Sequence, residues 1–314
     1  MLNYVRIAVK KAILLKKDES VLIICDRFRE DIAKLFFEAC EKITPKVVLT
    51  LIKRKGETER EPPKQIAKLM KEFDVILAIT SISLTHTEAV RKALRAGARV
   101  ATMPGITKEM LPALAIDYKK MRKIGEKIAR KFEKCKRIFI KDRNGTRIEV
   151  RKDGRKVQIQ DGILDKPGSL HNLPAGEVGI APLENFSNGI VVFDTCLAGI
   201  GKLKRFVKVL VENGKIVKIS GGREAKKFED LIEKADKNAK ILCEFSIGIN
   251  WKAKLIGNVL NDEKAYGTCH FAFGDNLSIG GKNRSKIHLD GVISKPVIWF
   301  NGEKIVEKRN ITVL

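Results

Sequence analysis

The first 135 residues alternate between short continuous apolar runs and longer segments in which apolar residues recur at helical spacing. Apolar runs of this kind, bounded by polar residues, are typical of buried strands in a parallel sheet. We predict strands at 21–26, 46–52, 75–80 and 99–104, and helices at 4–16, 31–43, 63–73, 85–96 and 108–134. Apolar strands separated by helices predict an α/β domain with a doubly wound, Rossmann-like parallel sheet.

The pattern changes from residue 137 onward to short alternating strands joined by turns. Asn-Gly pairs at 144–145, 213–214 and 301–302 lie between alternating segments, which favours β-hairpins. One helical segment, 223–238, interrupts them. Since 314 residues are enough for two domains, we predict an α/β scaffold domain at 1–136 and a mainly antiparallel β (α+β) domain at 137–314.

Composition indicates a globular protein, with 44% hydrophobic and 32% charged residues. The N-terminal segment is broken by lysines and has neither a signal-peptide cleavage site nor about 20 uninterrupted apolar residues. The six cysteines show no CxxC spacing, which favours reduced thiols over a zinc ribbon or a disulfide framework. We therefore expect a cytoplasmic protein with no membrane association.

The formal net charge of +24 raises the question of nucleic-acid binding. The basic residues are spread along the chain and often alternate with acidic ones, and only 6% of residues are aromatic. No zinc-finger, RNP-type or helix-turn-helix signature is present, and no GxGxxG or GxxxxGK[ST] motif supports a nucleotide site. We expect a solvated, lysine-rich surface, compatible with a thermophilic origin, and no functional nucleic-acid binding.

The segment 267–290 contains the most informative histidines. His288 and Asp290 are two residues apart in a strand-like run, so their side chains project from the same face. His270 can add a second imidazole if its own strand-like segment pairs with theirs. A buried histidine that is hydrogen-bonded to an aspartate is the structural alternative. His86, near the start of a predicted helix, is interpreted as structural.

Two glutamates of the second half stand in apolar surroundings. Glu177 lies in HNLPAGEVGIAP and Glu244 lies in ILCEFSIGIN, and neither has a neighbouring cation in the sequence. An isolated carboxylate is costly to bury unless a cation or hydrogen-bond donors compensate it. Metal coordination explains both residues, and a strand-edge glutamate turned toward water is the alternative for each.

Together, Glu177, Glu244, His270, His288 and Asp290 offer three carboxylates and two imidazoles, which suit one or two divalent transition metals. Two metals would activate a water and polarise a carbonyl, which is hydrolytic chemistry. One metal held by two histidines and a carboxylate would instead favour non-haem iron and dioxygen. A metal-binding protein without catalysis is the third possibility.

Several motifs resemble the aminopeptidase T family of thermophilic leucyl aminopeptidases. These are NLPAGEV (172–178), the apolar strand with Glu244 followed by IGIN, the block GTCHFAFGDN, and GGKNRSKIHLD, in the family's order. The resemblance departs from the family at Leu277, where members carry a tyrosine seven residues after the first metal-binding histidine.

This resemblance implies a metallo-aminopeptidase, a hydrolase that removes N-terminal residues from peptides and forms a homodimer. It implies that Glu177, Glu244, His270, His288 and Asp290 bind a pair of zinc, cobalt or manganese ions, with Glu244 or Glu177 as the catalytic base. A related design is a mononuclear Fe(II) dioxygenase that opens the ring of 2,5-dihydroxypyridine with the His, His, Asp subset, and it is the alternative function.

Overall fold

The structure is a computed structural model that describes residues 1–53, 61–85 and 87–312, so His86 lies outside the described residues. It divides the chain into two compact units. Unit 1 comprises Met1–Lys119 and Gln160–Ala175, and unit 2 comprises Lys120–Ile159 and Gly176–Leu314. Within the described residues, the fold is a mixed α/β arrangement with one parallel sheet and two antiparallel sheets.

The α-helices of the described residues are α1 (Leu2–Lys11), α2 (Glu30–Glu41), α3 (Lys64–Leu69), α4 (Glu88–Arg95), α5 (Tyr118–Glu133), α6 (Arg223–Ala235) and α7 (Val259–Asp262). The strands are β1 (Val21–Cys25), β2 (Val47–Leu51), β3 (Val75–Ile79), β4 (Arg99–Thr102), β5 (Arg137–Lys141), β6 (Arg147–Arg151), β7 (Val157–Gln160), β8 (Leu170–Asn172), β9 (Glu177–Ile180), β10 (Asn188–Phe193), β11 (Cys196–Leu197), β12 (Gly201–Lys202), β13 (Val207–Glu212), β14 (Lys215–Ser220), β15 (Leu242–Gly248), β16 (Cys269–Gly274), β17 (His288–Ile293), β18 (Val297–Phe300), β19 (Glu303–Glu307) and β20 (Asn310–Ile311).

Unit 1 is built on a five-stranded parallel sheet with the order β2-β1-β3-β4-β8. Every residue of β1 and β3 is buried, as expected for central parallel strands covered on both faces. β2, at one edge, is only partly buried. The four predicted strands of the first half correspond to β1, β2, β3 and β4.

Helices of unit 1 cover this sheet because their apolar residues fall on one side. In α2, Ile32, Phe36 and Cys40 follow the four-residue spacing and are buried. α2 contacts β1, β2 and β3, and α1 packs against α2. A separate apolar cluster joins Leu22 and Ile24 of β1 to Val90 and Ala93 of α4.

Unit 2 contains two antiparallel sheets. The first has the order β14-β13-β10-β6-β5-β18-β19-β20, and the second has the order β12-β11-β17-β16-β15-β9-β7. The three predicted Asn-Gly turns join β5 to β6, β13 to β14, and β18 to β19. Asn213 and Gly214 both have positive φ (49° and 72°), as a type I′ hairpin turn requires, and so do Asn301 and Gly302 (47° and 91°).

An aromatic core joins the two sheets of unit 2. Phe132, from α5, packs against Phe300 of the first sheet with ring centroids 4.3 Å apart and against Phe245 of the second at 6.2 Å. Phe245 in turn lies 5.1 Å from Phe271 on the neighbouring strand. Burying each of these rings contributes roughly 1.5–3 kcal/mol. One face of the second sheet is therefore fixed against this core, which leaves the other face for polar residues.

The two units differ from the predicted division at residue 136. From Lys120 onward, α5 belongs to unit 2, and its Phe132 packs into the core of that unit. Residues 160–175 return to unit 1, because β8 pairs with β4 in parallel. Long-range strand pairing of this kind leaves no mark on the local pattern.

The long helix predicted at 108–134 is two elements in the structure. Lys108–Leu114 forms a 3₁₀ helix, and α5 begins at Tyr118. Pro112 lies within the first segment and has no backbone N–H to donate, which limits regular α-helical bonding there. Among the residues that the structure describes, no helix has both the length and the apolar character to cross a membrane.

Candidate metal centre

Four adjacent strands of the second sheet, β9, β15, β16 and β17, carry the candidate ligands on one face. Glu244 and Asp290 both lie opposite Ala272 in register, one on each side of β16. His270 pairs with Ser246, and Glu177 pairs with Gly248. Because directly paired residues share a face of an antiparallel sheet, the five residues that the sequence singled out meet above the centre of this sheet.

A β-bulge sets the phase of β15. The register shifts between Leu242 and Glu244, so that Leu242 pairs with Phe273 while Glu244 pairs with the next residue of β16, Ala272. Leu242 thus stays on the face of the aromatic core and Glu244 points to the opposite face. Bulges commonly re-aim a side chain beside a functional site in this way.

The two imidazoles and the carboxylates approach one another closely. Nε2 of His288 lies 3.2 Å from Oε2 of Glu244 and 3.2 Å from Oδ1 of Asp290. Nε2 of His270 lies 3.3 Å from Oε1 of Glu244 and 3.5 Å from Oε2 of Glu177. Both ring nitrogens therefore point into a pocket of carboxylate oxygens, where positive charge is favoured.

Hydrogen bonds hold two of these groups in place. Nδ1 of His288 lies 2.7 Å from the backbone oxygen of Asp275, so it donates to that carbonyl and Nε2 faces the carboxylates. The hydroxyl of Ser246 donates to Oε1 of Glu244 at 2.7 Å. Ser246 has room to do so because Gly179 stands opposite it, where an added Cβ would lie 1.7 Å from the serine oxygen.

The electrostatics of the site follow from this crowding. Burial lowers the pKa of His270, but the hydrogen bond to Glu244 and the neighbouring carboxylates raise it to about 9. Burial also opposes charge on His288, yet Asp290 holds the pKa of this imidazole well above its usual value. Glu244 is likewise buried, but its hydrogen bonds with the two histidines hold its pKa well below the usual range.

Two further charged residues complete the site, Glu263 and Lys264, which follow the short helix α7. Both are buried, with 6% and 3% of their surface exposed. Nζ of Lys264 lies 2.6 Å from Oε1 of Glu177 and 2.8 Å from Oε1 of Glu263. Burial raises the pKa of Glu263 to about 7, with Asp290 and Glu177 adding to the shift against the opposing charge of Lys264. The pKa of Lys264 is raised by the two glutamates, although burial opposes it.

Sequence reasoning missed Glu263 and Lys264 because adjacent opposite charges usually indicate a solvated surface. Gly248 allows the segment that carries them to lie close against the sheet. A Cβ at this position would lie 2.2 Å from the backbone oxygen of Ala265 and 2.8 Å from that of Glu263. The backbone of this segment can cross the sheet only where the side chain is absent. A glycine at the end of the Glu244 strand was the signal in the sequence.

The donor atoms fit a metal ion. Three sets of three residues each offer one ligand atom, and in each set these atoms lie within 4.8 Å of one another. The sets are Glu177, Glu244 and His270; Glu244, His288 and Asp290; and Glu263, His270 and Asp290. Oε2 of Glu177 is buried and has no hydrogen-bond partner among the described residues, as expected of an atom whose partner is a cation.

Leu277 lies outside this group of donors. It begins a short 3₁₀ helix, Leu277–Ile279, and half of its surface is exposed. An aliphatic side chain at this position offers neither a ligand nor a proton.

Imidazoles and carboxylates gathered on a buried sheet face form a candidate metal-binding site. The family model of NicX, 2,5-dihydroxypyridine 5,6-dioxygenase, matches residues 8–313, and the chain belongs to this family. It is 22% identical to 2,5-dihydroxypyridine 5,6-dioxygenase of Pseudomonas putida KT2440 over 246 residues, which cover 73% of this chain and 69% of that protein.

Two solved structures share the fold. The dioxygenase from Pseudomonas putida KT2440 superposes with a TM-score of 0.82 at 16% identity, covering 99% of this chain and 96% of that one. Wild-type AmpT from Thermus thermophilus gives a TM-score of 0.72 at 17% identity, with 99% and 98% covered. At these identities the two likenesses concern the fold alone.

These comparisons correct the functional expectation. The prediction of a metallo-aminopeptidase, a hydrolase acting on peptides, was wrong, because the family match along nearly the whole chain is to a dioxygenase. The resemblance to aminopeptidase T holds at the level of the fold. The short motifs around the candidate ligands occur on a scaffold that two chemistries share, so they could not separate hydrolysis from oxidation.

Proposed function

We propose that this protein is a mononuclear non-haem iron dioxygenase that opens a dihydroxylated pyridine ring. The observation that carries the proposal is the convergence of two imidazole Nε2 atoms on the carboxylate of Glu244, 3.3 Å from His270 and 3.2 Å from His288, in a chain that belongs to a ring-cleaving dioxygenase family. A site of two histidines and one carboxylate with open positions suits ferrous iron and dioxygen. Zinc, cobalt and manganese were expected for a peptidase, so they are not proposed for a dioxygenase.

His270, His288 and Asp290 are the residues that we propose hold the iron, with Glu244 beside them. A ferrous ion would supply the one-electron chemistry by which dioxygen reacts with an electron-rich ring. His288 is oriented for this role by its hydrogen bond to the Asp275 carbonyl. Ser246 orients Glu244, whose carboxylate lies between the two imidazoles.

The ligand face is mostly buried. His270 is 1% exposed and Glu177 is 7% exposed, whereas the side chains of His288 and Asp290 keep 15% and 18% exposure. A dry site strengthens the attraction between the carboxylates and a cation and limits side reactions with water. We also propose that the sheet of the first unit is doubly wound, which the strand order β2-β1-β3-β4-β8 supports.

Oxygen consumption tests the proposal directly. The protein is prepared without metal, loaded anaerobically with ferrous iron, and mixed with 2,5-dihydroxypyridine in air-saturated buffer. We expect dioxygen and substrate to disappear in equal amounts, with loss of the ring's ultraviolet absorbance. Loading with zinc, cobalt or manganese should give no oxygen uptake.

The matched variants are Asp290→Asn and Glu303→Gln. The first removes a charge from the site, and the second removes one from an exposed ion pair with Lys131. We expect oxygen uptake to fall at least about 100-fold in Asp290→Asn and to stay unchanged in Glu303→Gln. If iron-loaded wild-type protein consumed no dioxygen with any dihydroxylated pyridine, the proposal would be rejected.

A further inference from the structure

The buried ammonium group of Lys264 has no role in the dioxygenase chemistry proposed above. A lysine side chain is rarely buried, because its charge must then be compensated by a partner. Lys264 has only 4% of its side chain exposed and contacts two carboxylates, Glu177 and Glu263. It therefore contacts Glu177, which stands on β9, the strand of the four that is farthest across the sheet from β17 with His288 and Asp290.

The carboxylates around Lys264 are themselves candidate metal ligands. Glu177 forms one candidate donor set with Glu244 and His270, and Glu263 forms another with His270 and Asp290. Oε2 of Glu177, in a residue that is 93% buried (7% exposed), has no hydrogen-bond partner among the described residues. The site thus offers more donor atoms than one ion needs. The positive charge of Lys264 already lies between two of them, the carboxylates of Glu177 and Glu263.

We propose that Lys264 takes the place of a second metal ion, so that its ammonium neutralises Glu177 and Glu263 and restricts the centre to a single divalent cation. This inference rests on the proposed function in that it assumes a metal held by the remaining donors, His270, His288, Asp290 and Glu244. Lys264 is in this sense a specificity-determining residue for the number of ions. A second divalent ion would have to displace the ammonium or stand next to it.

The backbone holds Lys264 firmly in this position. Its carbonyl oxygen accepts a hydrogen bond from Asn250 N at 2.8 Å, and its N–H donates to the Asn261 carbonyl at 3.2 Å. The hydroxyl of Thr268 donates to the backbone oxygen of Ala265 at 2.7 Å and lies 3.2 Å from that of Asp262, which fixes the same turn. Its backbone is anchored at the sheet and its side chain is only 4% exposed, so the ammonium lies buried between the two carboxylates.

Metal stoichiometry tests the inference without reference to oxygen chemistry. Metal-free wild-type protein and Lys264→Met are titrated with Mn²⁺ under identical conditions. Electron paramagnetic resonance distinguishes bound from free Mn²⁺. We expect wild type to bind one Mn²⁺ per chain and Lys264→Met to bind two. The two ions of the variant should also show the spin coupling of neighbouring manganese ions, which a distant surface site would not produce.

Lys264→Arg is the matched control, since it keeps a positive charge and should bind one Mn²⁺ per chain. Lys264→Gln, a neutral polar variant, provides a second test where methionine disturbs folding, and circular dichroism and thermal melting verify the fold of each protein. Removing a carboxylate in Lys264→Met/Glu263→Gln should restore binding of one ion.

Two results would overturn the inference: wild type binding two Mn²⁺ ions, or the folded neutral variants binding one. Either could occur with the iron-dependent oxygen uptake of wild type intact, so the failure of this inference is distinguishable from the failure of the proposed function. Conversely, absence of oxygen uptake would leave the Mn²⁺ stoichiometries to decide the role of Lys264.

Discussion

Nδ1 of His288 lies 2.7 Å from the backbone oxygen of Asp275, and this contact turns the opposite ring nitrogen toward Glu244 and Asp290. A backbone carbonyl cannot change its protonation, so the orientation of the imidazole is fixed by the fold. The same arrangement is common among metal-bound histidines, whose second nitrogen donates to a carbonyl or carboxylate.

Replacing His288 with alanine should abolish tight iron binding. The variant loses one nitrogen ligand and leaves Glu244 and Asp290 facing each other without the imidazole between them. We expect the affinity for ferrous iron to fall at least about 100-fold, measured anaerobically with a chromogenic chelator as competitor. Glu303→Gln, at an exposed carboxylate, is the control, and iron retention equal to wild type in His288→Ala would remove this residue from the ligand set.

Ser246→Ala should weaken the site without removing a ligand. The serine hydroxyl donates to Oε1 of Glu244 at 2.7 Å, and such supporting hydrogen bonds typically change metal affinity by about 10–100-fold. We expect weaker iron binding in the same competition assay, with little change in melting temperature. Ser246→Cys keeps the shape of the side chain but donates only a weak hydrogen bond. Its affinity for iron should lie between those of Ser246→Ala and wild type. Affinity unchanged in both variants would show that Glu244 needs no such support.

Gly248→Ala should destabilise the protein and disturb the site together. The added methyl group would lie 2.2 Å from the backbone oxygen of Ala265, so the segment with Glu263 and Lys264 must shift. Overpacking of this kind costs about 1–3 kcal/mol. We expect a melting temperature lower by several degrees and weaker metal binding.

Gly280→Ala separates backbone strain from crowding. Gly280 has φ of 88° with no atom within 4 Å of an added Cβ, so alanine there costs strain alone, about 1 kcal/mol. We expect a modest loss of stability with metal affinity intact. If Gly280→Ala weakened metal binding as much as Gly248→Ala, crowding at the Glu263–Lys264 segment would not be the cause.

Much of this fold was predictable because it depends on local patterns. Continuous apolar runs predict β1 and β3, whose residues are all buried, and the Asn-Gly pairs predict hairpins such as β13–β14. The return of residues 160–175 to unit 1 was not predictable, because β8 is three residues long and its partner lies far away in sequence. Non-local pairing of so short a strand leaves no periodic signal.

The candidate site was predictable as far as strand alternation reaches. His288 and Asp290 share a face by their spacing, and the pairing of β16 with β17 brings His270 to the same face. Lys264 could not be placed in this way, because it stands in a turn and reaches Glu177 only through the close approach that Gly248 permits. The chemistry itself was misjudged, since the same ligand types serve hydrolysis and oxidation.

The buried cysteines predict how stability changes in alkaline solution. Burial raises the pKa of Cys40 to about 12, whereas a thiol in the unfolded chain titrates near 8.5. The folded state therefore binds more protons than the unfolded state above about pH 9, and the stability due to the neutral thiol is lost as pH rises toward 12.

Cys40→Ala should reduce this alkaline loss by at most about 1.4 kcal/mol per pH unit. Urea unfolding at pH 8, 9 and 10 measures this loss of unfolding free energy. The control is Thr50→Ala, a substitution in a partly buried strand that removes no titrating group. An identical decline of unfolding free energy in Cys40→Ala and wild type would contradict the assignment of the loss to this thiol.

Isotope labelling tests the central claim most directly. Iron-loaded protein is allowed to turn over 2,5-dihydroxypyridine under ¹⁸O₂, and the product is analysed at once by mass spectrometry. A ring-cleaving dioxygenase places both atoms of one dioxygen molecule in the ring-opened product, and we expect both labels there. A product that carries no label, or whose added oxygen comes from water, would contradict the assignment of this site to dioxygen chemistry.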